Sequence, residues 1–246
     1  MTKPSIIFGI HAVLSALEKK PERIIQLIIS DRHDKTMQTI VDLAKKNHIK
    51  IENATRESLD QRTQHENHQG ILAVCHPLKH YTEDDLIPLL DNSKTPPLLL
   101  ILDGIQDPHN LGACLRSADA AGVTAVIAPK DKSAGLTSTA IKVASGAAET
   151  VPFIQVTNLA RTLRFLKEQN IWIMGTSGDA KQTLYQADLT LPLAFVLGAE
   201  GKGIRRLTAE HCDILLTIPM QGSVSSLNVS VATGIFLFEA IRQRLK

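Results

Sequence analysis

Polar and charged side chains gather in three stretches of the C-terminal part of the sequence, each beside a predicted strand end. The first is DGIQDPHNLGACLR (103–116), which passes from a strand through a proline-containing turn into a helix. Asn110 could cap this helix and Arg116 could be a solvated surface residue. Alternatively, the helix N-terminus and Arg116 could together bind a phosphate. For either residue alone, the simpler structural explanation is favoured.

The second stretch is VLGAEGKGIRR (196–206), in which three glycines surround Glu200 and would let a ligand approach the backbone. Its GxxGxG spacing matches neither the dinucleotide-binding GxGxxG nor the Walker pattern, which disfavours a nicotinamide enzyme. By itself it is typical of an ordinary glycine-rich turn. Arg205 and Arg206 could contact phosphates or could be surface charge.

The third stretch is IPMQGSVSSLNVSVA (218–232), a strand end followed by a Gly/Ser loop and the start of the last predicted helix. Ser225 or Ser226 could be a helix N-cap. The stretch nevertheless holds more polar residues than capping requires. It lacks the GxSxG pattern, which argues against a hydrolase.

The elements that must position these stretches follow a strand–helix alternation from residue 98 onward. Continuous apolar strands alternating with helices predict an α/β fold with a parallel sheet covered on both faces. In such sheets, ligands bind beyond the carboxyl ends of the strands, where all three stretches are expected. Strands are predicted at 98–104, 123–129, 150–156, 171–176, 193–199 and 213–219, and helices at 110–122, 158–170 and 226–246.

The first 77 residues show a separate α/β pattern and predict a small N-terminal domain (1–77). Its predicted strands are 23–30 and 70–76, and its predicted helices are 11–20 and 36–49. His65 and His68 are expected in a solvated loop rather than in a metal site. The following segment, 78–97, contains prolines and an acidic EDD and predicts a linker with one short helix at most.

The composition of the chain restricts the classes of function that the protein can have. The chain has 246 residues, of which 43% are hydrophobic and 21% are charged, a globular balance. A net charge of +2 excludes a strongly basic nucleic-acid coat but allows a local basic patch. Three separated cysteines without a CxxC pair disfavour a disulfide framework or zinc site, and no apolar run is long enough to span a membrane. We therefore expect a cytoplasmic protein without metal or membrane partners.

Taken in order, the three stretches read N-x-G-x-x-x-R, L-G-x-E-G-x-G and I-P-M-x-G-x-x-x-S-L-N-V-S-V-A. They resemble the three motifs of the SpoU/TrmH class of RNA ribose 2′-O-methyltransferases in the SPOUT superfamily, without departure at the motif positions. This resemblance covers 98–246. FGIHAV (8–13) and HQGILA (68–73) resemble the family's small substrate-binding domain, which is similar to the ribosomal protein L30 fold.

The resemblance implies a methyltransferase domain over 98–246 with a deep trefoil knot, which topology rules alone would reject in favour of a Rossmann sheet. It also implies S-adenosylmethionine as methyl donor, a homodimer and an RNA substrate. The whole chain resembles bacterial members that methylate a guanosine ribose in the peptidyl-transferase loop of 23S rRNA. Two alternatives stay open: a tRNA ribose 2′-O-methyltransferase and a non-catalytic RNA-binding assembly factor.

Site residues follow from the same resemblance. The catalytic and RNA-handling positions are Asn110, Arg116, Glu200, Ser226 and Asn228, and the cofactor pocket falls on Gly175, Thr176, Leu197, Gly198, Ile218, Met220 and Leu227. The family's proposed activator falls on Arg116. Making an ordinary guanidinium neutral at pH 7 costs roughly 7.5 kcal/mol. We therefore expect this residue to bind the target phosphate and stabilise the developing alkoxide as a cation. Glu200 is expected to organise the site, and Ser226 and Asn228 to hydrogen-bond the cofactor's carboxylate side or the ribose.

Overall fold

The computed structural model describes residues 4–31, 34–199, 201 and 203–245. The chain divides into two compact units, Met1–Lys79 and His80–Lys246. Among the helices of these described ranges, none has the length and apolar character needed to cross a membrane.

The N-terminal unit is a four-stranded mixed sheet with three helices. Its sheet order is β1-β4-β2-β3, with β4 antiparallel to β1 and β2, and with β2 parallel to β3. The elements are β1 (Ser5–Phe8), α1 (Ile10–Lys19), β2 (Ile24–Ile29), α2 (Lys35–Lys46), β3 (Lys50–Asn53), α3 (Arg56–Arg62) and β4 (Ile71–Cys75). The sequence pattern missed β1, β3 and α3, which are short. His68 was predicted to be solvated, but it is 3% exposed.

The C-terminal unit confirms the predicted parallel α/β sheet. Seven strands run in the order β7-β6-β5-β10-β8-β11-β9, and every pairing found among them is parallel. The strands are β5 (Leu98–Asp103), β6 (Ala125–Pro129), β7 (Phe153–Val156), β8 (Trp172–Thr176), β9 (Gln182–Thr183), β10 (Leu193–Gly198) and β11 (Ile214–Thr217). The helices are α4 (Leu86–Asp91), α5 (Pro108–Ala120), α6 (Ser138–Ala144), α7 (Ala147–Thr150), α8 (Leu159–Glu168), α9 (Arg206–Glu210) and α10 (Val229–Arg244).

The centre of this sheet is formed by β5 and β10, whose residues are all buried. Apart from Asp103 at the end of β5, both strands are uninterrupted apolar runs, as expected for strands that helices cover on both faces. Their register pairs Gly198 with Asp103, so the two strands end at the same edge. On one face, Phe236 of α10 packs edge-to-face against Phe195 of β10, with ring centroids 5.2 Å apart.

The final turn of α10 is fixed to the other end of the sheet. The Arg244 guanidinium donates hydrogen bonds to the carbonyls of Pro96 (2.7 Å), Leu189 (3.0 Å) and Leu191 (2.6 Å). Burial lowers the pKa of this guanidinium from its ordinary value. Arg244 thus joins the segments that precede β5 and β10.

Two predicted helix starts differ from the structure. Helix α5 begins at Pro108, and the Asp107 side chain caps it by accepting a hydrogen bond from the His109 backbone nitrogen (2.9 Å). The prediction of Asn110 as a cap is therefore wrong. Proline suits a first helical position because its missing N–H would have no partner there. The last helix starts at Val229, with Asn228 as its cap, instead of at 226.

The segment predicted as the linker, 78–97, includes residues that contact the C-terminal unit. Glu83 accepts a hydrogen bond from the Thr157 backbone nitrogen (2.9 Å) and forms an ion pair with Arg161 (2.8 Å). Leu86 is buried in the apolar cluster around β5 to β8. Residues 80–91 therefore pack on this unit.

Candidate active site

A cavity of about 470 Å³ lies at the carboxyl ends of β8, β10 and β11. Its walls combine apolar side chains with glycine backbone, and hydroxyl groups and the carboxylate of Asp179 add polar atoms. The lining includes Thr176, Ser177, Asp179, Leu197, Gly198, Ile218, Met220, Ser225, Ser226, Leu227 and Phe236. A pocket of this size and mixture suits one small organic ligand.

One wall of the cavity is a tight turn that folds back onto the end of β10. The Gly203 backbone nitrogen donates to the Ala199 carbonyl (2.9 Å), and Gly203 has φ +63°. A Cβ on Gly198 would lie 1.9 Å from the Gly203 carbonyl carbon and 2.2 Å from the Ile204 nitrogen. Only glycine at position 198 allows this approach, so any side chain there would displace the wall.

The same turn is anchored to the neighbouring strand by Asp103, which is buried at the end of β5. Its Oδ2 accepts a hydrogen bond from the Arg205 backbone nitrogen (2.9 Å), and its Oδ1 lies 3.4 Å from Arg205 Nε. Charge-assisted hydrogen bonds of this kind are stronger than neutral ones. The turn is therefore held from both of its ends.

The first and third polar stretches meet through two asparagines. The Asn228 side-chain nitrogen donates to Asn110 Oδ1 (3.0 Å), and Asn228 Oδ1 accepts from the Ser230 backbone nitrogen (2.9 Å). Asn228 therefore caps α10 and contacts α5 at the same time. A single side chain fixes the relative position of two helices that are distant in sequence.

Deeper between α5 and α10, the Cys114 thiol lies 3.3 Å from the Thr233 hydroxyl. Burial raises the pKa of Cys114 to about 11. A thiol in this environment stays protonated at neutral pH and serves as a packing residue rather than a nucleophile.

Arg116 lies on α5, 6 residues after Asn110 in sequence, and its side chain is exposed. No hydrogen bond or ion pair to it is found among the residues that the structure describes. It is not among the described residues that line the cavity. Arg116 is thus available to an external anion.

Comparison with known proteins assigns the chain to a family. Residues 97–238 match the model of the SpoU rRNA Methylase family, and residues 6–81 match the model for RNA 2'-O ribose methyltransferase substrate binding. The chain belongs to the SpoU rRNA methylase family. It is 59% identical over 240 residues to the 23S rRNA (guanosine-2'-O-)-methyltransferase RlmB of Escherichia coli strain K12, covering 97% of this chain and 98% of the relative.

Solved structures agree with the fold. A protein described as an RNA 2'-O ribose methyltransferase has a TM-score of 0.80 and 25% identity, covering 99% of this chain and 90% of its own. AviRb from Streptomyces viridochromogenes, solved in complex with AdoMet, has a TM-score of 0.80 and 22% identity. That alignment covers 98% of this chain and 91% of AviRb. The similarity therefore extends over both units.

In this SpoU methylase, most of the predicted cofactor residues lie together. Thr176, Leu197, Gly198, Ile218, Met220 and Leu227 all line the cavity, as does Ser226. Gly175 is not among the lining residues. It allows close packing instead, because a Cβ there would come 2.7 Å from Cys212 Sγ and from Leu215 Cδ2. Asn110 and Asn228 lie outside the lining set, and Glu200 falls outside the described residues.

Two acidic residues of this SpoU methylase were missed from the sequence. Asp103 anchors the turn described above, and Asp179 lies on the cavity wall after β8. Both follow or end apolar strands of a parallel sheet. Strand-end position alone could have indicated them, because ligands bind at the carboxyl edge. Asp103 opens the first stretch but precedes its N-x-G-x-x-x-R pattern, and Asp179 lies outside all three stretches.

Proposed function

We propose that this protein transfers a methyl group from S-adenosylmethionine to the ribose 2′-oxygen of a guanosine in 23S rRNA. The observation that carries the proposal is the 59% identity, over nearly the full length of both chains, to a 23S rRNA guanosine methyltransferase. The cavity also supports it, because residues of the second and third stretches line it at the strand ends. We also propose that the protein acts in the cytoplasm.

The cavity has the properties that S-adenosylmethionine requires. Its volume of about 470 Å³ accommodates one such molecule. Leu197, Ile218 and Phe236 offer apolar contact to an adenine ring, and the bare backbone at Gly198 permits close approach. Ser226 supplies a polar contact on the wall. The bound molecule supplies an electrophilic methyl group on a sulfonium.

The chain's own residues then have to position and activate the ribose. Methyl transfer is an in-line displacement, so orientation of the 2′-oxygen is the main requirement. We propose that Arg116 binds the phosphate beside the target and stabilises negative charge developing on that oxygen, whose proton passes to the phosphate or to water. Asn110 and Asn228 position the two helices around the substrate. We propose Glu200 as an organiser of these groups.

The proposed function is tested by methyl transfer from labelled S-adenosylmethionine to unmodified 23S rRNA and to tRNA. Arg116→Lys keeps the charge but loses the planar fork, so we expect most of the turnover to disappear while cofactor binding stays normal. Arg164→Lys, an exposed arginine on α8, is the matched control.

Each outcome has a distinct meaning. Label in tRNA alone would favour a tRNA methyltransferase. Cofactor binding without transfer to either RNA would contradict the proposed substrate, and absence of cofactor binding would favour a non-catalytic RNA-binding assembly factor. Near-normal turnover of Arg116→Lys would refute the role given to this arginine.

We also propose a homodimer through α10. Val231 and Phe238 are 51% and 49% exposed, and Leu245, just after the helix, is 82% exposed. Val231 and Phe238 are seven residues apart and lie along one side of the helix, and Leu245 follows at the same spacing. An exposed apolar row of this kind favours an interface with a second copy. Phe238→Asp should convert a dimer into a monomer in light scattering, and a wild-type monomer at micromolar concentration would refute the proposal.

The domain organisation and topology complete the proposal. We propose that the N-terminal unit has an L30-like fold and binds RNA, and that the C-terminal domain is knotted. Support for the knot is that β11 pairs outside β8, whereas the following α10 packs back on β10 and α5. When the chain is pulled from both ends until it unfolds, a tightened knot would keep some residues from extending. The measured contour length should therefore be below the roughly 3.3–3.6 Å per residue of a fully extended chain. A full contour length would exclude a knot.

A further inference from the structure

The two N-terminal motifs, FGIHAV and HQGILA, come together although 59 residues separate their contacting positions. The Ile10 backbone nitrogen donates to Gln69 Oε1 (2.9 Å). The Gly9 nitrogen donates to the Ile71 carbonyl (3.2 Å). Gln69 therefore supplies the helix cap that Gly9, which has no side chain, cannot provide for α1.

The buried side chain of His68 fixes the backbone at the place where these two motifs meet. It is 3% exposed, and its Nδ1 accepts a hydrogen bond from the Gly70 backbone nitrogen (3.0 Å). Since Nδ1 accepts, the ring proton resides on Nε2, which then donates to Asp60 Oδ1 at 3.0 Å. The hydrogen bonds of this buried histidine fix the local backbone conformation, and the side chains next to it in the sequence are exposed.

The loop that carries these residues adopts an unfavourable backbone. Gln64, His65 and Gln69 all have left-handed φ angles, of +54°, +61° and +55°. Such conformations are unfavourable for non-glycine residues and persist where the surroundings enforce them. The loop is therefore held in one shape by its contacts.

A cavity of about 720 Å³ opens beside this loop, at the carboxyl ends of the parallel strands β2 and β3. Among the described residues, its side chains provide hydroxyls, amides, one carboxylate and one guanidinium, from Ser30, Asp31, Thr55, Arg56, Asn67 and Gln69. The only apolar side chain among the described lining residues is that of Ala54. This composition disfavours an apolar ligand and suits one that offers hydrogen-bonding edges together with negative charge.

We infer that this cavity binds one unpaired nucleotide of the RNA substrate, an inference that rests on the proposed function. The Asn67 amide contacts the edge of the splayed base, and the Arg56 guanidinium binds the adjoining phosphate. Asp31 repels phosphate from its own side of the cavity, which orients the nucleotide. The site gives the N-terminal unit a means of selecting a loop in the RNA.

The test measures binding of the full-length protein to a 23S rRNA fragment at several salt concentrations. Arg56→Ala should weaken binding about five- to tenfold and should reduce the salt slope by about 0.7 to 0.9, the value of one phosphate contact. Its matched control is Lys46→Ala, which removes an exposed positive charge from α2, away from the cavity.

Asn67→Ala should weaken binding of the rRNA fragment about fivefold and leave the salt slope unchanged, because no charge is lost. Gln38→Ala, an exposed amide on α2, is its control. Affinity for S-adenosylmethionine should be unchanged in all four variants.

The outcomes separate this inference from the proposed function. Wild-type affinity for the rRNA fragment in both Arg56→Ala and Asn67→Ala would overturn the site while leaving the methyltransferase assignment intact. Equal losses in the control variants would also overturn it. A wild-type protein that binds cofactor but no rRNA would remove the proposed substrate and this site with it.

Discussion

Replacement of Gly198 by alanine tests whether the turn after β10 forms a wall of the cavity proposed for the cofactor. The added Cβ would meet backbone atoms of Gly203 and Ile204 at 1.9–2.2 Å, whereas ordinary contacts begin at 3.4 Å. Backbone cannot rotate out of the way as a side chain can. The turn must move outward, and Asp103 resists this movement through its hydrogen bond to the Arg205 nitrogen.

The expected cost of Gly198→Ala lies at the upper end of overpacking effects, about 3 kcal/mol. For a chain of this size, that corresponds to a fall in melting temperature of roughly 6–12 °C. Displacement of the wall should also weaken S-adenosylmethionine binding at least about tenfold, because atomic shifts near 1 Å have large effects in preorganised sites. Calorimetric titration and thermal unfolding measure the two quantities.

Two other glycines serve as graded controls. Gly222→Ala should be nearly neutral in stability and affinity, because no heavy atom lies within 4 Å of its added Cβ. Gly175→Ala should be intermediate, about 1–2 kcal/mol, because the clashing atoms belong to the movable side chains of Cys212 and Leu215. Normal cofactor affinity in Gly198→Ala, or a larger stability loss in Gly175→Ala, would refute the reasoning.

Three further predictions concern charged and titratable groups. Asp103→Asn should lower the free energy of unfolding in urea by about 2 kcal/mol, because the buried hydrogen bond to the Arg205 nitrogen loses its charge and the ion pair with the Arg205 side chain is lost; unchanged stability would contradict its role as an anchor. Asp179→Asn should weaken S-adenosylmethionine binding about three- to tenfold at low salt, because the wall carboxylate attracts the sulfonium, and should weaken binding of the demethylated product, which lacks the sulfonium charge, less. Equal losses for both ligands in calorimetry would show that charge is not the cause. Burial raises the pKa of the three thiols, so a thiol-reactive dye at pH 8 should label them slowly in the native protein and rapidly after unfolding. In the folded state, the pKa values of these thiols lie above the ordinary value of 9.0. Their contribution to the free energy of unfolding is therefore complete below pH 9 and is lost as the pH rises through the folded-state pKa values. A free energy of unfolding that stays constant up to pH 11 would contradict this prediction. These values are about 11 for Cys75 and Cys114 and about 12 for Cys212.

Periodicity and strand-end logic predicted the parallel sheet because β5 and β10 are long apolar runs buried on both faces. The same logic missed β9, which has two residues, and the short helices α6, α7 and α9. Segments of this length have no complete period to detect. Their structure depends on partners elsewhere in the chain, as the pairing of β9 with β11 illustrates.

The site residues stay predictions, but the structure shows which of them lie near one another. The Gly-rich stretch after a buried strand was predicted to let a ligand approach the backbone, and the structure shows in addition that the backbone of Gly203 and Ile204 packs against Gly198. By contrast, the bond between Asn110 and Asn228 spans 118 residues, and nothing local in either motif indicates it. The buried position of His68 was also unpredictable, because its partner Asp60 lies in the preceding helix of an otherwise polar stretch.

The sequence separation of the contacts within the C-terminal unit has a consequence for folding kinetics. Asp103 contacts Arg205 across 102 residues, Cys114 contacts Thr233 across 119, and Arg244 contacts Pro96 across 148. Such non-local topologies fold slowly, because loop closure precedes the contacts that compensate for it. The cavity forms only when these distant segments are joined, so a ligand of the cavity binds after the rate-limiting step. Ligand should therefore slow unfolding and leave the refolding rate constant unchanged.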